Sequence, residues 1–365
     1  MDNVDRIGRI EAIALLITVI ANNIIFNIPT IILSYSGSGA WLSIIYLGIL
    51  SLIFIVIVCK LLKPFVQLDL VDISNFLGGK VLKTIIGIAY IFLFISFSGA
   101  CLRYFVNSLH LIYFNDTPLL FLIILFIIPI IIANKFGIKA ISGTNIIFVP
   151  IAMASIITLL FAASKDFVWQ RLFPIFGYSS KNLFIYQLPN ISAFNVIAYL
   201  YFIRPYLKKE KNFKSISIIC IILCILYLLL SIVSLLMTYP FITQTDETLS
   251  LYLLTRLITF GKFFERVDAI FIFLWILALL SFLSFNVFLV ISIIKKLINL
   301  KHSSQLSYSI SFILLGISLA FPNIVSVKMF NRSFFRNFNA ILIFVVSFII
   351  ILLAYLKKRK RGEVK

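Results

Sequence analysis

Apolar residues run along this chain in long uncharged blocks that short polar segments separate. The blocks are about 20 residues long, which is the length that a helix needs to cross about 30 Å of hydrocarbon. The strict alternation typical of a membrane β-barrel is absent from stretches such as Ile123 to Ile132. The pattern therefore predicts about ten transmembrane helices, here called spans one to ten, near residues 10–34, 40–59, 83–113, 119–133, 142–163, 184–203, 215–238, 264–294, 305–321 and 338–356.

Composition supports this reading. Of the 365 residues, 62% are hydrophobic and 12% are charged, whereas soluble domains have about 45–50% and about 25%. No soluble core of this size buries so much apolar surface, so the lipid bilayer is the expected solvent. We predict an all-α membrane protein that forms one transmembrane domain over residues 1–365.

The net charge is +19, and the informative point is where the basic residues lie along the chain. Basic residues lie in short loops between apolar blocks and do not gather on one folded surface, so nucleic acid is not an expected partner. When the loops are assigned to alternating sides, one side receives 22 of the 32 lysines and arginines and the other receives nine, with Arg103 inside span three. The positive-inside rule then places both termini and the basic tail 357–365 in the cytoplasm.

Two spans carry residues that a plain lipid-spanning helix avoids. The polar residues and prolines of spans one and six are Asn22, Asn23, Asn27 and Pro29, and Pro189, Asn190, Ser192 and Asn195. Interrupted helices at matching positions of two halves indicate an inverted-repeat transporter fold of five plus five helices. The repeats are expected at about 10–163 and about 184–356, with helices 1 and 6 broken.

A broken helix exposes N–H groups at one end and C=O groups at the other, and both bind a small ligand without charged side chains. The alternative is a proline kink with asparagines that bond between helices, as in many membrane bundles. Both breaks together favour a mid-membrane ligand site. Its predicted residues are Asn22, Asn23, Phe26, Asn27, Ile28, Ser98, Gly99, Asn190, Ser192, Phe194 and Asn195.

Charges inside the spans are candidates for function because they are costly in lipid. Arg103 lies in the outer half of span three, and Glu265 and Asp268 lie at the outward start of span eight. We predict that Arg103 pairs with one of these carboxylates as a gating or structural charge pair. The alternative is that Arg103 extends along its own helix to the outer interface.

No metal, cofactor or catalytic centre is predicted. The two histidines, His110 and His302, lie at span ends on opposite sides and lack cysteine or carboxylate partners at ligand spacing. No paired acids or activated nucleophile occur at membrane depth, so an enzyme is not expected.

The stretch Gly261-Lys-Phe-Phe-Glu-Arg-Val-Asp-Ala-Ile-Phe-Ile-Phe-Leu-Trp275 resembles the B-subunit family of spore germinant receptors, which are permease-like proteins of the amino acid, polyamine and organocation superfamily. Further similarities are Arg171-Leu-Phe-Pro-Ile-Phe-Gly177, Arg204-Pro205 with the basic loop after it, Arg103 and Thr117-Pro118. Their order covers nearly the whole chain.

The resemblance implies a receptor role in the spore inner membrane. Such a subunit works with an A-type membrane subunit and a C-type lipoprotein, senses a small nutrient, expected to be an amino acid, and triggers germination. The family often has small glycines in the unwound part of span one, where this chain has Asn22 to Pro29. Either the ligand differs from a simple α-amino acid, or the asparagines replace backbone contacts. Transport of an amino acid or organocation is the alternative function.

The topology is directly testable at the tail Lys357 to Arg361, whose five consecutive basic residues resist translocation. We expect a topology reporter fused to the C-terminus to show that this end of the chain lies in the cytoplasm. A reporter that reads the outer side would contradict the ten-span topology.

Overall fold

The computed structural model describes residues 5–26, 28–239, 268–300 and 305–362. These residues form helices and no strand; the sole bridge in the described ranges joins Ile7 to Leu207. The α-helices of the first half are α1 (Arg9–Ile25), α2 (Ile28–Ser36), α3 (Ala40–Leu62), α4 (Leu70–Ile112) and α5 (Leu119–Ala163). Those of the second half are α6 (Ser180–Phe184), α7 (Val196–Ile203), α8 (Phe213–Thr238), α9 (Asp268–Ile298), α10 (Leu306–Ala320), α11 (Ile324–Met329), α12 (Arg336–Ala340) and α13 (Ser347–Lys360).

Seven helical stretches of the described chain are long and apolar enough to cross a membrane, and Leu306–Ala320 is a shorter apolar helix. Two of the seven hold parts of two predicted spans each. Ile28–Leu62 joins the second half of span one to span two, and Leu119–Met153 joins span four to span five. The second of these stretches bends at Gly137, which has a left-handed φ of 77°. This glycine lies in the predicted loop between spans four and five.

Both predicted helix breaks are present, which confirms the transporter-like class with helices 1 and 6 broken. In span one, α1 ends at Ile25 and α2 begins at Ile28. Pro29 has no N–H to donate to the carbonyl of Ile25, so an α-helix is not continued through this point. In span six, Leu188–Phe194 is a 3₁₀ segment with Pro189 in its first turn, and α7 follows it.

The helical stretch Ile324–Lys360 contains the predicted span ten, and the name span ten is used for this whole stretch from here on. It has a different irregularity. The π-helical segments Phe330–Phe335 and Ile341–Val346 alternate with α11, α12 and α13 along one continuous rod. A π turn widens the helix and is frequent at functional sites. The division of the chain into two repeats stays a prediction, because helix boundaries alone do not establish the symmetry axis.

Aromatic side chains hold the centre of the bundle. Phe97 of α4 stacks on Phe335 of span ten at 5.1 Å between ring centroids and meets Phe282 of α9 edge to face at 5.6 Å. Tyr199 of α7 lies against Phe94 and donates a hydrogen bond of 2.8 Å to Asn286 of α9. The broken spans are thus packed between α4, α9 and span ten.

Ionic contacts fix the end of the bundle that is predicted to be cytoplasmic. Asp69 caps α4 in a reciprocal capping box with Asp72, and the ammonium of Lys296 from α9 contacts both carboxylates. Burial and the neighbouring Asp72 raise the pKa of Asp69 to about 6, although Lys296 acts in the opposite direction. The lysine therefore ties the end of α9 to the start of α4.

Replacing this lysine tests the tie. Lys296→Met leaves two carboxylates together, one of them 5% exposed, without their cation. We expect a loss of about 2–3 kcal/mol in stability, measured by thermal unfolding of the purified protein. Lys295→Met is the control, because Lys295 is an adjacent basic residue with no ion pair among the described residues. Equal stability of the two variants would show that the contact is not structural.

Candidate functional site

The two helix breaks meet through a pair of asparagine side chains. The amide of Asn23 donates to Oδ1 of Asn195 at 3.0 Å, and the amide of Asn195 donates back to Oδ1 of Asn23 at 3.0 Å. Asn23 also donates to the backbone carbonyl of Ala193 at 2.9 Å. Both side chains are buried, with exposed fractions of 0% and 2%. The predicted polar residues of spans one and six therefore bond to each other.

Other predicted site residues are buried beside this pair. Asn22 donates to Sγ of Cys101 at 3.2 Å. Within the ranges that the structure describes, Oδ1 of Asn22 and Oγ of Ser98 have no hydrogen-bond partner. A buried polar atom without a partner is costly, so these two atoms differ from the paired amides of Asn23 and Asn195.

The remaining predicted residues differ in their surroundings. Phe26 lies edge to face against Phe97 at 5.5 Å and Tyr104 at 5.4 Å. Phe194 is fully buried, Ser192 is nearly so and Ile28 is half-buried. Asn27 lies outside the described residues.

Gly99 has a packing role. A Cβ at this position would lie 2.5 Å from Cγ2 of Ile317 in α10. The absent side chain therefore lets α4 and α10 approach closely, and the glycine faces a neighbouring helix.

A cavity of about 80 Å³ lies next to the break in span one, on the side that is predicted to face outward. It is bounded by Phe26, Thr30, Ile31, Ser34, Tyr104, Lys328, Asn331 and Arg332. The lining combines aromatic and aliphatic side chains, hydroxyl groups and two cations, and the cations Lys328 and Arg332 are here called the cationic wall. A small solute with an apolar body and an anionic group would match the chemistry of this lining.

A hydrogen-bond network connects the cationic wall to both breaks. Arg336 lies one helical turn beyond Arg332 and donates to Oδ1 of Asn190 at 3.3 Å. Asn190 donates to Gln187, whose amide donates to the carbonyl of Ile32 at 2.8 Å. Spans one, six and ten therefore share polar contacts at the outer side of the breaks.

Tyr35 lies under Arg332 of this wall and under Arg336, one turn further on. The guanidinium carbon of Arg336 is 4.6 Å from the ring centroid, and that of Arg332 is 5.3 Å from it. A cation over an aromatic face is stabilised by the quadrupole of the ring. The tyrosine thus helps to position both guanidinium groups, of which that of Arg332 lines the cavity.

The proposed partner of Arg103 is outside the reach of the structure, because Glu265 and the side chain of Asp268 lie outside what it describes. Arg103 is 6% exposed and donates to the backbone carbonyl of Pro322 at 2.9 Å. Its Nε has no partner among the described residues. The carbonyl supplies part of the compensation that a buried guanidinium needs.

The cationic residues of span ten were not among the residues predicted from the sequence. Lys328, Arg332 and Arg336 recur every four positions, a spacing that places side chains on one helix face. This spacing is visible in the sequence. However, the three residues precede the predicted start of span ten at 338, so the sequence pattern predicts a loop there. In the described part of the chain no cluster of His, Cys, Asp and Glu suits a metal ion.

Comparison with known proteins places the fold and the family. The family model described as "Spore germination protein" matches residues 7–324. Curated protein sequences give no match. Among solved structures, the substrate-bound outward-open state of a Na⁺-coupled sialic acid symporter has a TM-score of 0.62 at 11% identity, covering 95% of this chain and 78% of that chain. At this identity the likeness concerns the fold alone.

The amide pair is testable by a double-mutant cycle. Asn23→Leu or Asn195→Leu leaves the other buried amide without its partner, which costs about 1–3 kcal/mol. We expect the double variant to lose clearly less stability than the sum of both single losses, because no orphaned amide remains. Thermal unfolding of purified protein measures all four states, and additive losses would contradict direct coupling.

Proposed function

Because this chain belongs to the spore germination protein family, we propose that it is the permease-like B subunit of a nutrient germinant receptor. The family model extends over most of the chain, and the described helices have a transporter fold. A permease-type membrane protein binds its solute between helices near mid-membrane. In this protein, binding of the nutrient would trigger germination.

We place the nutrient between the Asn23–Asn195 pair and the outer cavity. The observation that carries this placement is that both helix breaks are joined by buried amides beside a cavity with a cationic wall. Phe26 and Tyr104 would contact the apolar body of the nutrient. Arg332 would bind its carboxylate, since a guanidinium forms paired hydrogen bonds with a carboxylate.

The contacts also provide a way to signal. A ligand shifts a conformational equilibrium only when it binds one conformation more tightly than the other. The amide pair and the Arg336–Asn190 contact connect three spans at one point. A nutrient that competes for these groups changes the relative position of spans one, six and ten, which would transmit binding to partner subunits.

The partners and location follow the family resemblance. We propose an A-type membrane subunit and a C-type lipoprotein as partners in the spore inner membrane, with both termini cytoplasmic. A non-enzymatic role fits the permease family. We also propose the charge pair of Arg103 with Glu265 or Asp268. One N–H of the Arg103 guanidinium donates to the carbonyl of Pro322, and its other N–H groups can bind a carboxylate.

Transport is the second candidate, and the fold likeness to a symporter favours it. The same helix breaks and the same cavity would serve either role. Uptake of radiolabelled amino acids into vesicles that contain the purified chain separates them. Turnover at transporter rates without any partner subunit would replace the receptor proposal by the transporter.

The ligand placement is tested at Arg332, which is exposed at the cavity and has no acid partner among the described residues. In spores that carry this receptor alone, Arg332→Gln should raise the nutrient concentration for half-maximal germination by roughly tenfold or more, since a charged hydrogen bond contributes about 1.5–3 kcal/mol. The loss of optical density of the spore suspension measures germination.

Lys181→Gln is the matched control for this test. Lys181 is an exposed basic residue on the same predicted outer side, away from the cavity lining. Both variants should reach normal abundance in spore membranes. Unchanged nutrient sensitivity of Arg332→Gln would contradict the placement, as would an equal shift in the Lys181 variant.

A further inference from the structure

A second and larger cavity lies at the opposite end of the bundle, which the positive-inside rule assigns to the cytoplasm. Its volume is about 290 Å³, and it lies between the end of α3 and the start of α8. It is bounded by Cys59, Lys60, Leu62, Lys63, Arg204, Glu210, Lys211, Phe213 and Lys214. Nothing in the proposed nutrient site involves these residues.

The charges around this cavity do not cancel. Arg204 and Glu210 form an ion pair, so they compensate each other. Lys60, Lys63, Lys211 and Lys214 remain, and none of them has an acid partner or a side-chain hydrogen bond among the described residues. Four ammonium groups therefore surround one space, two of them on α3 and α8 and two on the segments next to these helix ends, and such an arrangement attracts a multivalent anion.

A rigid scaffold holds the lysines in place. Arg204 is 1% exposed and donates to the backbone carbonyls of Leu62, Phe65 and Leu68 at 3.1, 2.6 and 3.2 Å. It thereby binds the last carbonyl of α3 and two carbonyls of the segment that joins α3 to α4. Its side chain also lies over the ring of Phe213, the first residue of α8. The two helix ends that bear the lysines are thus fixed relative to each other.

The cavity also has apolar lining and adjoins surfaces that suit lipid tails. Cys59, Leu62 and Phe213 line it and are buried. On α3 the exposed stripe Ile49, Ile53 and Ile57 ends at Lys60, three residues further on.

The second helix also has exposed apolar residues. On α8, Ile222, Leu226 and Leu230 form a stripe that begins about two turns after Lys214 and winds away from the face of that lysine. The stripe on α3 therefore leads directly to a lysine at the cavity, and α8 adds apolar surface for lipid tails. The two helices approach closely, since a Cβ on Gly48 would lie 2.5 Å from Cγ1 of Ile225.

We propose that this cavity binds the phosphate headgroup of an anionic phospholipid, with its acyl chains along the exposed faces of α3 and α8. Basic pockets between helices at the cytoplasmic side of a membrane are typical binding sites for anionic headgroups. A free phosphate or a soluble phosphomonoester shares the headgroup chemistry but makes no use of the apolar stripes. An acidic protein segment also suits the lysines, but it would not need the stripes either.

The test uses the full chain, delipidated and held in a neutral detergent. Native mass spectrometry measures binding of short-chain phosphatidylglycerol and of short-chain phosphatidylcholine. We expect phosphatidylglycerol to bind more tightly, and the K60Q/K214Q variant to weaken its binding by roughly 30-fold. The K60R/K214R variant should restore it, because arginine keeps the charge. The control pair K80Q/K139Q removes two exposed lysines from the same predicted side outside the cavity and should change binding little.

Each other outcome contradicts the proposal. An equal loss in K80Q/K139Q would mean that bulk charge, and not the cavity, attracts the lipid. Inorganic phosphate or glycerol 3-phosphate that binds as tightly as phosphatidylglycerol, with the same dependence on K60Q/K214Q, would identify a soluble phosphate as the ligand. Unchanged lipid binding of K60Q/K214Q, together with loss of its assembly with partner subunits, would assign the lysines to an acidic protein segment. Unfolding temperatures of all variants show whether a loss reflects misfolding.

Discussion

A helix that stops inside hydrocarbon leaves backbone N–H and C=O groups that water does not reach, and each unsatisfied group costs several kcal/mol. This chain stops two helices, and the breaks lie against each other. Asn23 and Asn195 exchange two hydrogen bonds, and the carbonyl of Ala193 in the 3₁₀ segment of span six accepts a third from Asn23. The side chains thus replace part of what an uninterrupted helix would have supplied. Because the pair connects spans one and six directly, the positions of both depend on it.

Span ten completes the surroundings of this pair. The ring of Phe335 stacks on Phe97, which in turn contacts Phe26 next to the break in span one. The π-helical segment that contains Phe335 also carries Arg332, so one irregular turn buries an aromatic ring and presents a cation to the outer cavity. Arg336, one turn further, reaches Asn190 in span six. Packing and polar contacts therefore converge on the same three spans.

The other end of the bundle uses charge differently. Arg204 closes the end of α3, and Lys296 holds the capping box of α4, so both cations satisfy groups of the protein itself. The four lysines around the neighbouring cavity have no such role among the described contacts. Positive charge at this end therefore serves in part to hold helix ends together, while the four lysines are the basis of the proposed site for an anionic headgroup.

The sequence alone determined the helical class, the positions of most breaks and the family resemblance, because lipid forces long apolar runs into helices and proline prevents their continuation at Pro29 and Pro189. It also singled out Asn23 and Asn195, since polar side chains are conspicuous in apolar runs. It did not determine that the two amides bond to each other, that Gly99 faces Ile317, or that Arg336 reaches Asn190. These contacts join residues that are far apart in the sequence, and only the packing of the helices brings them together: spans one, six and ten for the hydrogen bonds, and α4 and α10 for Gly99 and Ile317. The cationic wall depended on tertiary structure for the same reason: the spacing of Lys328 and Arg332 is visible in the sequence, but the cavity that they face is formed by helices from the other half of the chain.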